Sequence, residues 1–390
     1  MSASRLHPLP PARGSSFIFG IDASRAARAR RTGTETYALE LIKAMARLAS
    51  SRSRLRLYTP HPPQHPDWPD SAGVETRVIP LPRLWTHLRL SAELLRRPPD
   101  ALFVPAHVLP LVCPAPAAVT VHDLGYRHYP QAHRRADRWY LDWTTRRHTR
   151  VARHIIADSQ ATQTDLLNFY RADAWRISVV YLGRDESLAP VTNVAQIEQA
   201  KSRCQLAGDY LLYIGTLHPR KNLVRLIEAF AAARPQLPAE LAGVKLVIAG
   251  QKGWLFDQIF ARVAELGLAE HVIFPGFVAN ADKPALLSGA LAYVFPSLFE
   301  GFGLPVLEAM ACGTPVLTSN VSSLPEVAGD AALLVNPHDT AAIAAGLLKV
   351  MTDAGLRQQL RARGFEQIQK FSWDTAAAQV LEILERIASE

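Results

Sequence analysis

The sequence is poor in cysteine. Cys113, Cys204 and Cys312 are its only three among 390 residues, too few and too scattered for a disulfide framework or a zinc site. They read as buried thiols of a cytoplasmic protein. No apolar run approaches the roughly 18 residues of a transmembrane helix. Residues 1–15 (MSASRLHPLPPARGS) have no apolar stretch of the kind a secretory signal needs, and read as a flexible tail. No Asp-x-Asp pair occurs, so no metal site of that kind is expected. Negative charge is scarce in one half only. Residues 1–190 carry 27 Lys+Arg against 16 Asp+Glu, a net of +11, and residues 191–390 carry 16 against 19, a net of −3. The halves are expected to face different partners, the first an anionic surface or substrate. Nucleic acid is not expected, because no aromatic-basic binding module accompanies the positive charge.

What is present is an ordinary globular composition, 48% apolar and 20% charged, long enough for two or three domains of about 100–200 residues. Short apolar runs alternate with helical stretches. FIFGID (17–22), RLRLYTP (54–60), TRVIPL (76–81), ALFVPA (101–106), AAVTVHD (117–123), RHIIADS (153–159) and ISVVYLG (177–183) read as strands. TYALELIKAMARLA (36–49) has helical spacing, with Ala38, Leu41, Met45 and Leu48 as inward positions. The pattern restarts at YLLYIGT (210–216) and continues through 244–250, 271–276, 291–297, 315–320 and 331–337. A polar, Pro-containing stretch at 184–198 reads as the join. Strands separated by helices imply parallel sheets covered on both faces, and ligands then bind at the carboxyl ends of the strands.

The most informative stretch is FPSLFEGFGLPVLEAMACGTPVLTSN (295–320). A strand ends near Ser297, a loop follows with Gly301 and Gly303, and a helix begins at Pro305 and stops at Gly313. Glycines let backbone approach a ligand, and a helix N-terminus favours an anion such as phosphate. Glu300 and Glu308 flank that position. Carboxylates repel a phosphate, so they make better sense as acceptors for hydroxyls on either side of it. A diphosphate with a sugar at one end and ribose at the other meets that demand. A glycine loop capping a core helix, with both Glu solvated, is the other reading of the same residues.

This segment resembles the signature of the retaining, nucleotide-sugar-dependent glycosyltransferases of the GT-B fold, the glycosyl transferases group 1, which include bacterial mannosyltransferases and glycogen-synthase-like enzymes. Their E-G-F-G-L-P-x-x-E-A-M-A-x-G-x-P-V pattern, with its glutamates at Glu300 and Glu308, stands complete here from Glu300 through Val316. The resemblance implies that Glu300 contacts the donor sugar, that Glu308 contacts the ribose, and that Gly301, Phe302, Gly303 and Leu304 line the sugar and diphosphate through their backbone. IGTLHPRKNLVRLIEAF (214–230) is similar to the family's G-x-x-x-x-[RK]-K-N segment. Lys221 then neutralises the leaving diphosphate, with Arg220 assisting. Many relatives place an Arg directly after the strand glycine, where this chain has Thr216. VIFPGFV (272–278) resembles the segment that meets the nucleobase, around Phe277 and Val278. Glu326, in the loop beyond the carboxylate helix, reads as structural.

In the first half, VTVHDLGYRHYP (119–130) resembles the strand end whose His reaches the donor sugar, here His122, with Asp123 as a loop orienter on the acceptor side. His107 ends another strand and is an acceptor-side candidate. RTGTETYALELI (31–42) resembles the fold's first glycine loop, with Gly33 near the diphosphate. Residues 133–153 gather Arg134, Arg135, Arg138, Arg146, Arg147, Arg150 and Arg153 around Trp139, Tyr140 and Trp143. On a helix Trp139 and Trp143 share one side. That side either packs inward or rests on an anionic bilayer or lipid phosphate, through Arg134, Arg135 and Arg138.

The expected architecture is α/β, two Rossmann-like doubly wound domains facing across a cleft. A tail (1–15) precedes an acceptor domain (16–185) and a nucleotide-sugar domain (186–371), and a last helix (372–390) returns to the first domain. The expected reaction is retaining, metal-independent transfer of a hexose, best read as mannose from GDP-mannose, to a hydroxyl of a glycan or lipid-linked glycan. Hexosyl transfer from a UDP-, ADP- or dTDP-sugar is the alternative, and a nucleotide-sugar epimerase a lesser one. No cofactor is expected beyond the nucleotide-sugar substrate. The expected location is the cytoplasm, peripheral to the inner face of the membrane.

Overall fold

The computed structural model describes residues 16–28, 33–50, 53–106, 108–253 and 256–390. The expected tail and His107 lie outside the described residues. Each apolar run forms a strand. β1 (Phe17–Asp22), β2 (Ser53–Thr59), β3 (Val74–Val78), β4 (Ala101–Val104), β5 (Ala117–Val121), β6 (His154–Ala157) and β7 (Ile177–Val179) make one sheet, in the order β3-β2-β1-β4-β5-β6-β7. β8 (Tyr210–Ile214), β9 (Lys245–Ala249), β10 (Val272–Gly276), β11 (Ala292–Phe295), β12 (Val316–Ser319) and β13 (Ala332–Val335) make the other, in the order β10-β9-β8-β11-β12-β13. The registered neighbours within each sheet run parallel. β4, β5, β11 and β12 are buried along their whole length, as strands covered on both faces must be. Both orders reverse between their first and fourth strands, the doubly wound arrangement that opens a ligand crevice at that point.

The chain forms two compact units. Of the described residues, the first comprises those from 16 to 119, 152–154 and 377–390, and the second those in 120–151 and 155–376. In the first, the helix Gly33–Leu48 buries Tyr37, Ala38, Leu41 and Met45. Leu48 instead faces solvent, because it is the helix's last residue. Arg386 approaches His154 at 3.3 Å, and Arg153 pairs with Glu390, so side-chain contacts hold the end of the chain in this unit. In the second unit, Leu211, Leu212, Val247, Phe295 and Leu317 are fully buried at the centre of the sheet, under Leu226, Phe230 and Leu347 from flanking helices.

One local expectation changes. The stretch expected to be a join at 184–198 gives way to a helix, Val194–Arg203. Asn193 starts it by accepting hydrogen bonds from the amides of Ala195 and Gln196. The aromatic-basic helix spans Arg135–Val151 and turns Thr144, Thr145 and His148 inward. Its aromatic side is the outer one, with Trp139 70% exposed and Tyr140 and Trp143 also exposed. Among the described residues no helix is long and apolar enough to cross a membrane. Among the described residues no disulfide joins the cysteines; Cys204 and Cys312 are buried as expected, whereas Cys113 is half-buried, and burial pushes the Cys312 thiol up to about 12.

Candidate active site

The second unit assembles its site from the ends of parallel strands. β11 ends at Phe295, and Pro296–Gly303 leads into the helix Leu304–Ala311. Gly303 caps that helix with φ 119°, a left-handed value that glycine adopts without strain. Pro305 sits in the first turn, where a missing amide costs nothing. The loop is held from three sides. Ser323 Oγ donates to the carbonyls of Glu300 (2.9 Å) and Phe302 (2.6 Å). The Glu300 amide donates to Ser322 Oγ at 3.0 Å. His128 stacks on Phe299 at 4.6 Å, and Tyr129 Oη donates to the Leu298 carbonyl at 3.2 Å.

These contacts bury Glu300 and point its carboxylate at a cation. Lys221 Nζ lies 2.6 Å from Glu300 Oε1, and Ser297 Oγ donates to the same oxygen at 2.5 Å. Burial pushes the Glu300 carboxyl up. Lys221 and Arg220, with the Lys221 and Ser297 hydrogen bonds, outweigh that and hold it below the usual carboxylate range. Burial pulls the Lys221 ammonium down, against the attraction of Glu300. The Lys221 ammonium also lies over the Phe295 ring at 4.8 Å.

Lys221 owes its place to a tight turn. Pro219–Lys221 is a short 3-10 helix capped by His218, whose Nδ1 accepts the Arg220 amide at 3.2 Å. Asn222 follows at φ 62°, a left-handed value that asparagine tolerates, and its buried amide donates to the carbonyls of Pro296 and Pro337. The Arg220 carbonyl accepts from the Leu298 amide at 2.8 Å, which ties this turn to the glutamate loop. The Arg220 side chain reaches Asp123 Oδ2 at 3.4 Å. Asp123 Oδ1 in turn accepts the Gly125 amide at 2.8 Å. Arg220 and Lys221 therefore present two adjacent cations, tied to the loop that enters the Leu304–Ala311 helix. Adjacent cations of this kind are chemically suited to an anionic group.

His122 enters from the end of β5. Its Nδ1 lies 2.6 Å from Oδ2 of Asp158, a buried residue one past the end of β6. Thr162 Oγ1 donates to the His122 carbonyl at 3.2 Å. The Asp158 bond fixes the orientation of the ring. Asp158 is a residue the sequence does not single out, because its meeting with His122 depends on β5 and β6 being neighbours in the sheet.

Glu308 stands one turn into its helix and pairs with Lys283 at 2.5 Å. Both carboxylates act on one neighbour. Burial raises the Tyr293 phenol well above its ordinary value, and the negative charges of Glu308 and Glu300 add to that. Phe277 is exposed and Val278 half-buried, just beyond Gly276 at the end of β10. Phe302 is buried, its ring against Tyr181 and Phe371, so only its backbone is left to line a ligand. Leu304 and Gly301 are half-buried. Gly33 opens the first helix of the first unit, with nothing near the position of a β-carbon. Arg134 and Arg135 are exposed and Arg138 half-buried. Glu326 has a structural task, accepting the amides of Gln160 (2.9 Å) and Ala161 (3.1 Å) and the Tyr181 hydroxyl (3.0 Å). Among the described residues no three His, Cys, Asp or Glu side chains gather to hold a metal ion.

Known proteins resemble the chain in sequence and in fold. The family described as glycosyl transferases group 1 matches residues 195–367, and glycosyltransferase family 4 matches residues 31–188. O-antigen chain mannosyltransferase B of Escherichia coli is 35% identical over 268 residues, 68% of this chain and 69% of that protein. The serotype-specific mannosyltransferase WbdA of Escherichia coli is 33% identical over 237 residues, 60% of this chain but only 29% of that longer protein. Among solved structures, HepE of Anabaena, in complex with UDP and glucose, shares the fold with a TM-score of 0.72, covering 95% of this chain and 99% of that one at 20% identity. The chain belongs to the glycosyl transferases group 1 family, and is a glycosyltransferase with the two Rossmann-like domains of the GT-B fold.

Proposed function

We propose that the chain transfers mannose from GDP-mannose, with retention of configuration, to a hydroxyl of a growing glycan or lipid-linked glycan at the cytoplasmic face of a membrane. The observation that carries the reading is the Glu300–Lys221 contact at 2.6 Å, set between Arg220 and a glycine-entered helix N-terminus. Breaking a sugar–phosphate bond develops negative charge on the departing diphosphate. Arg220 and Lys221 are fixed cations suited to stabilise it. Glu300 accepts from a sugar hydroxyl, Glu308 from ribose, and His122 reaches the sugar. Phe277 and Val278 meet the base, and Gly33 meets the diphosphate. His107 and Asp123 belong to the acceptor side. The leaving diphosphate itself takes the proton of the incoming hydroxyl on the same face, so these side chains position and stabilise rather than act as a base. Mannose is favoured because mannosyl transfer is named for both Escherichia coli relatives.

A thermal-shift and calorimetric screen of GDP, UDP, ADP and dTDP, each with and without EDTA, tests the reading. Stabilisation by GDP alone, unchanged by EDTA, is the expected result. Stabilisation by UDP alone, the nucleotide bound in HepE, replaces mannose with another hexose. Binding of none refutes the donor site.

A second surface accompanies the site. The outward Trp139 and Trp143, with Arg134, Arg135 and Arg138 beside them, form a basic aromatic face suited to lipid phosphate. Replacing the three arginines by glutamine is expected to lower binding to anionic vesicles and leave nucleotide affinity unchanged. Equal vesicle binding removes that role.

A further inference from the structure

The two cations beside Glu300 stand on a three-residue turn, Pro219–Lys221, that is short of backbone bonds. Pro219 has no amide hydrogen to give. The Lys221 amide donates to the His218 carbonyl at 2.9 Å, and the Asn222 amide to the Pro219 carbonyl at 3.0 Å. The carbonyl that a 3-10 turn would offer the Arg220 amide is that of Leu217. It accepts the Gly253 amide instead, at 3.0 Å. The Arg220 amide therefore depends on the His218 side chain, whose Nδ1 accepts it at 3.2 Å.

The other end of the same residue is tied to the glutamate loop. The Arg220 carbonyl accepts the Leu298 amide at 2.8 Å. The Arg220 backbone is thus held on both sides, by His218 at its amide and by the loop that carries Glu300 at its carbonyl. Lys221 follows directly in the chain. The same two bonds set where its ammonium stands, 2.6 Å from Glu300. His218 touches none of the groups that would meet a donor. Its influence passes through Arg220 and Lys221.

The choice of an imidazole has a chemical consequence. Helix starts are ordinarily capped by Ser, Thr, Asp or Asn. A histidine accepts only through an unprotonated nitrogen. The amide is a fixed donor, so Nδ1 holds the lone pair and the other ring nitrogen carries the proton. Protonating Nδ1 would set one N–H against another and open the cap. The surroundings oppose that step. Burial pulls the half-buried His218 ring below its ordinary value, and Arg220, then His133 from beyond the Pro130–Ala132 turn, then Lys221 act the same way, against a hydrogen bond with the Ala132 backbone. Burial pulls His133 down too, with Asp123 opposing and Arg220 assisting. The ring that caps the turn is therefore neutral at neutral pH.

We propose that His218, accepting the Arg220 amide through Nδ1, is the positioning residue that aims Arg220 and Lys221 at the donor, and that it thereby sets a preference for a nucleoside diphosphate over the monophosphate. The proposal rests on the reading of these cations as the diphosphate contact. Lys221 touches Glu300, the proposed sugar contact, so the phosphate next to the sugar is the one these cations meet. A monophosphate lacks that group.

The test is calorimetric titration of the full chain and of its H218A and H218N variants with GDP, GMP, UDP and UMP, beside thermal unfolding. The wild type is expected to bind one diphosphate more tightly than the matching monophosphate. H218A is expected to lose about tenfold in affinity for that diphosphate and none for the monophosphate. Asparagine caps through its side-chain oxygen, so H218N is expected to restore the diphosphate preference. Side-chain 15N NMR of the histidines at neutral pH, with H218N identifying the resonance, is expected to show Nδ1 of His218 unprotonated. This last readout needs only the wild type and the capped variant, so it holds even where H218A unfolds. A wild type without a diphosphate preference overturns the donor reading and this proposal with it. A wild-type preference that H218A keeps, or that H218N fails to restore, overturns the role of His218 alone. So does an equal loss of monophosphate and diphosphate affinity in H218A, which reduces the cap to folding, and so does a protonated Nδ1.

Discussion

Lys221 Nζ and Glu300 Oε1, 79 positions apart in sequence, lie 2.6 Å from each other in a buried pocket. Removing one partner of such a pair strands the other, at a cost of about 3–5 kcal/mol, whereas removing both costs far less. E300Q and K221M are each expected to lower stability, and E300Q/K221M to recover most of the loss. Transfer fails in all three, and the loss in E300Q is on the order of 100-fold or more. Denaturant unfolding of the four proteins, beside their turnover, measures both. Additive stability losses would show that the contact carries no coupling.

The same pair sets a response to acid. The Glu300 carboxyl is depressed below its unfolded value of 4.5, because the two cations and the hydrogen bonds outweigh burial. A depressed acid contributes stability that is complete above the unfolded value and is lost as pH falls through the folded one. The wild type is therefore expected to lose more stability than E300Q as pH drops below 4.5. Parallel loss in the two proteins would mean that Glu300 is not held ionised.

Asp158 has the opposite sign. Burial raises its carboxyl, and the attraction of His122 offsets this only in part. Its Oδ1 has no hydrogen-bond partner among the described residues. A raised acid costs stability once pH exceeds the folded value, so ionised Asp158 is a burden at neutral pH. D158N is expected to keep or raise the Tm, while turnover falls roughly tenfold because His122 loses its fixed orientation. The pH profile of turnover should shift, with nucleotide affinity unchanged. Unchanged turnover and profile would reduce the His122–Asp158 bond to packing.

Much of this was legible in the sequence, for identifiable reasons. Parallel strands buried on both faces read as plain apolar runs, so β4, β5, β11 and β12 stood out. The glutamate loop was readable because Pro305 and Gly313 bracket its helix. Asp158 was not readable. It meets His122 only because β5 and β6 are neighbours, and no spacing rule spans the 36 positions between them. The helical segment Trp85–Arg96 was silent because Trp85, Leu90 and Leu94 are buried while Leu88 and Leu95 are exposed, and apolar residues on both sides leave no helical period to detect. For Trp139 and Trp143, their spacing showed that they share a side but not which way that side faces. Leu48 had helical phase but sits where the helix ends.

Gly301 and Gly33 separate two uses of glycine near a ligand. A β-carbon on Gly301 would lie 2.8 Å from the Asp123 β-carbon and closer still to the His122 carbonyl oxygen, both on the backbone turn that carries the candidate histidine. G301A must push that turn away. It is expected to cost about 1–3 kcal/mol and to remove transfer with it. A β-carbon on Gly33 meets nothing within 4 Å, and the residue opens a helix. G33A is expected to leave the Tm unchanged or slightly raised, while weakening nucleotide-diphosphate binding if ligand backbone contact is the reason for the glycine. Calorimetric titration with GDP beside thermal unfolding distinguishes the two. Full GDP affinity in G33A would remove Gly33 from the donor site, and full stability in G301A would contradict the close approach of the two loops within the second unit.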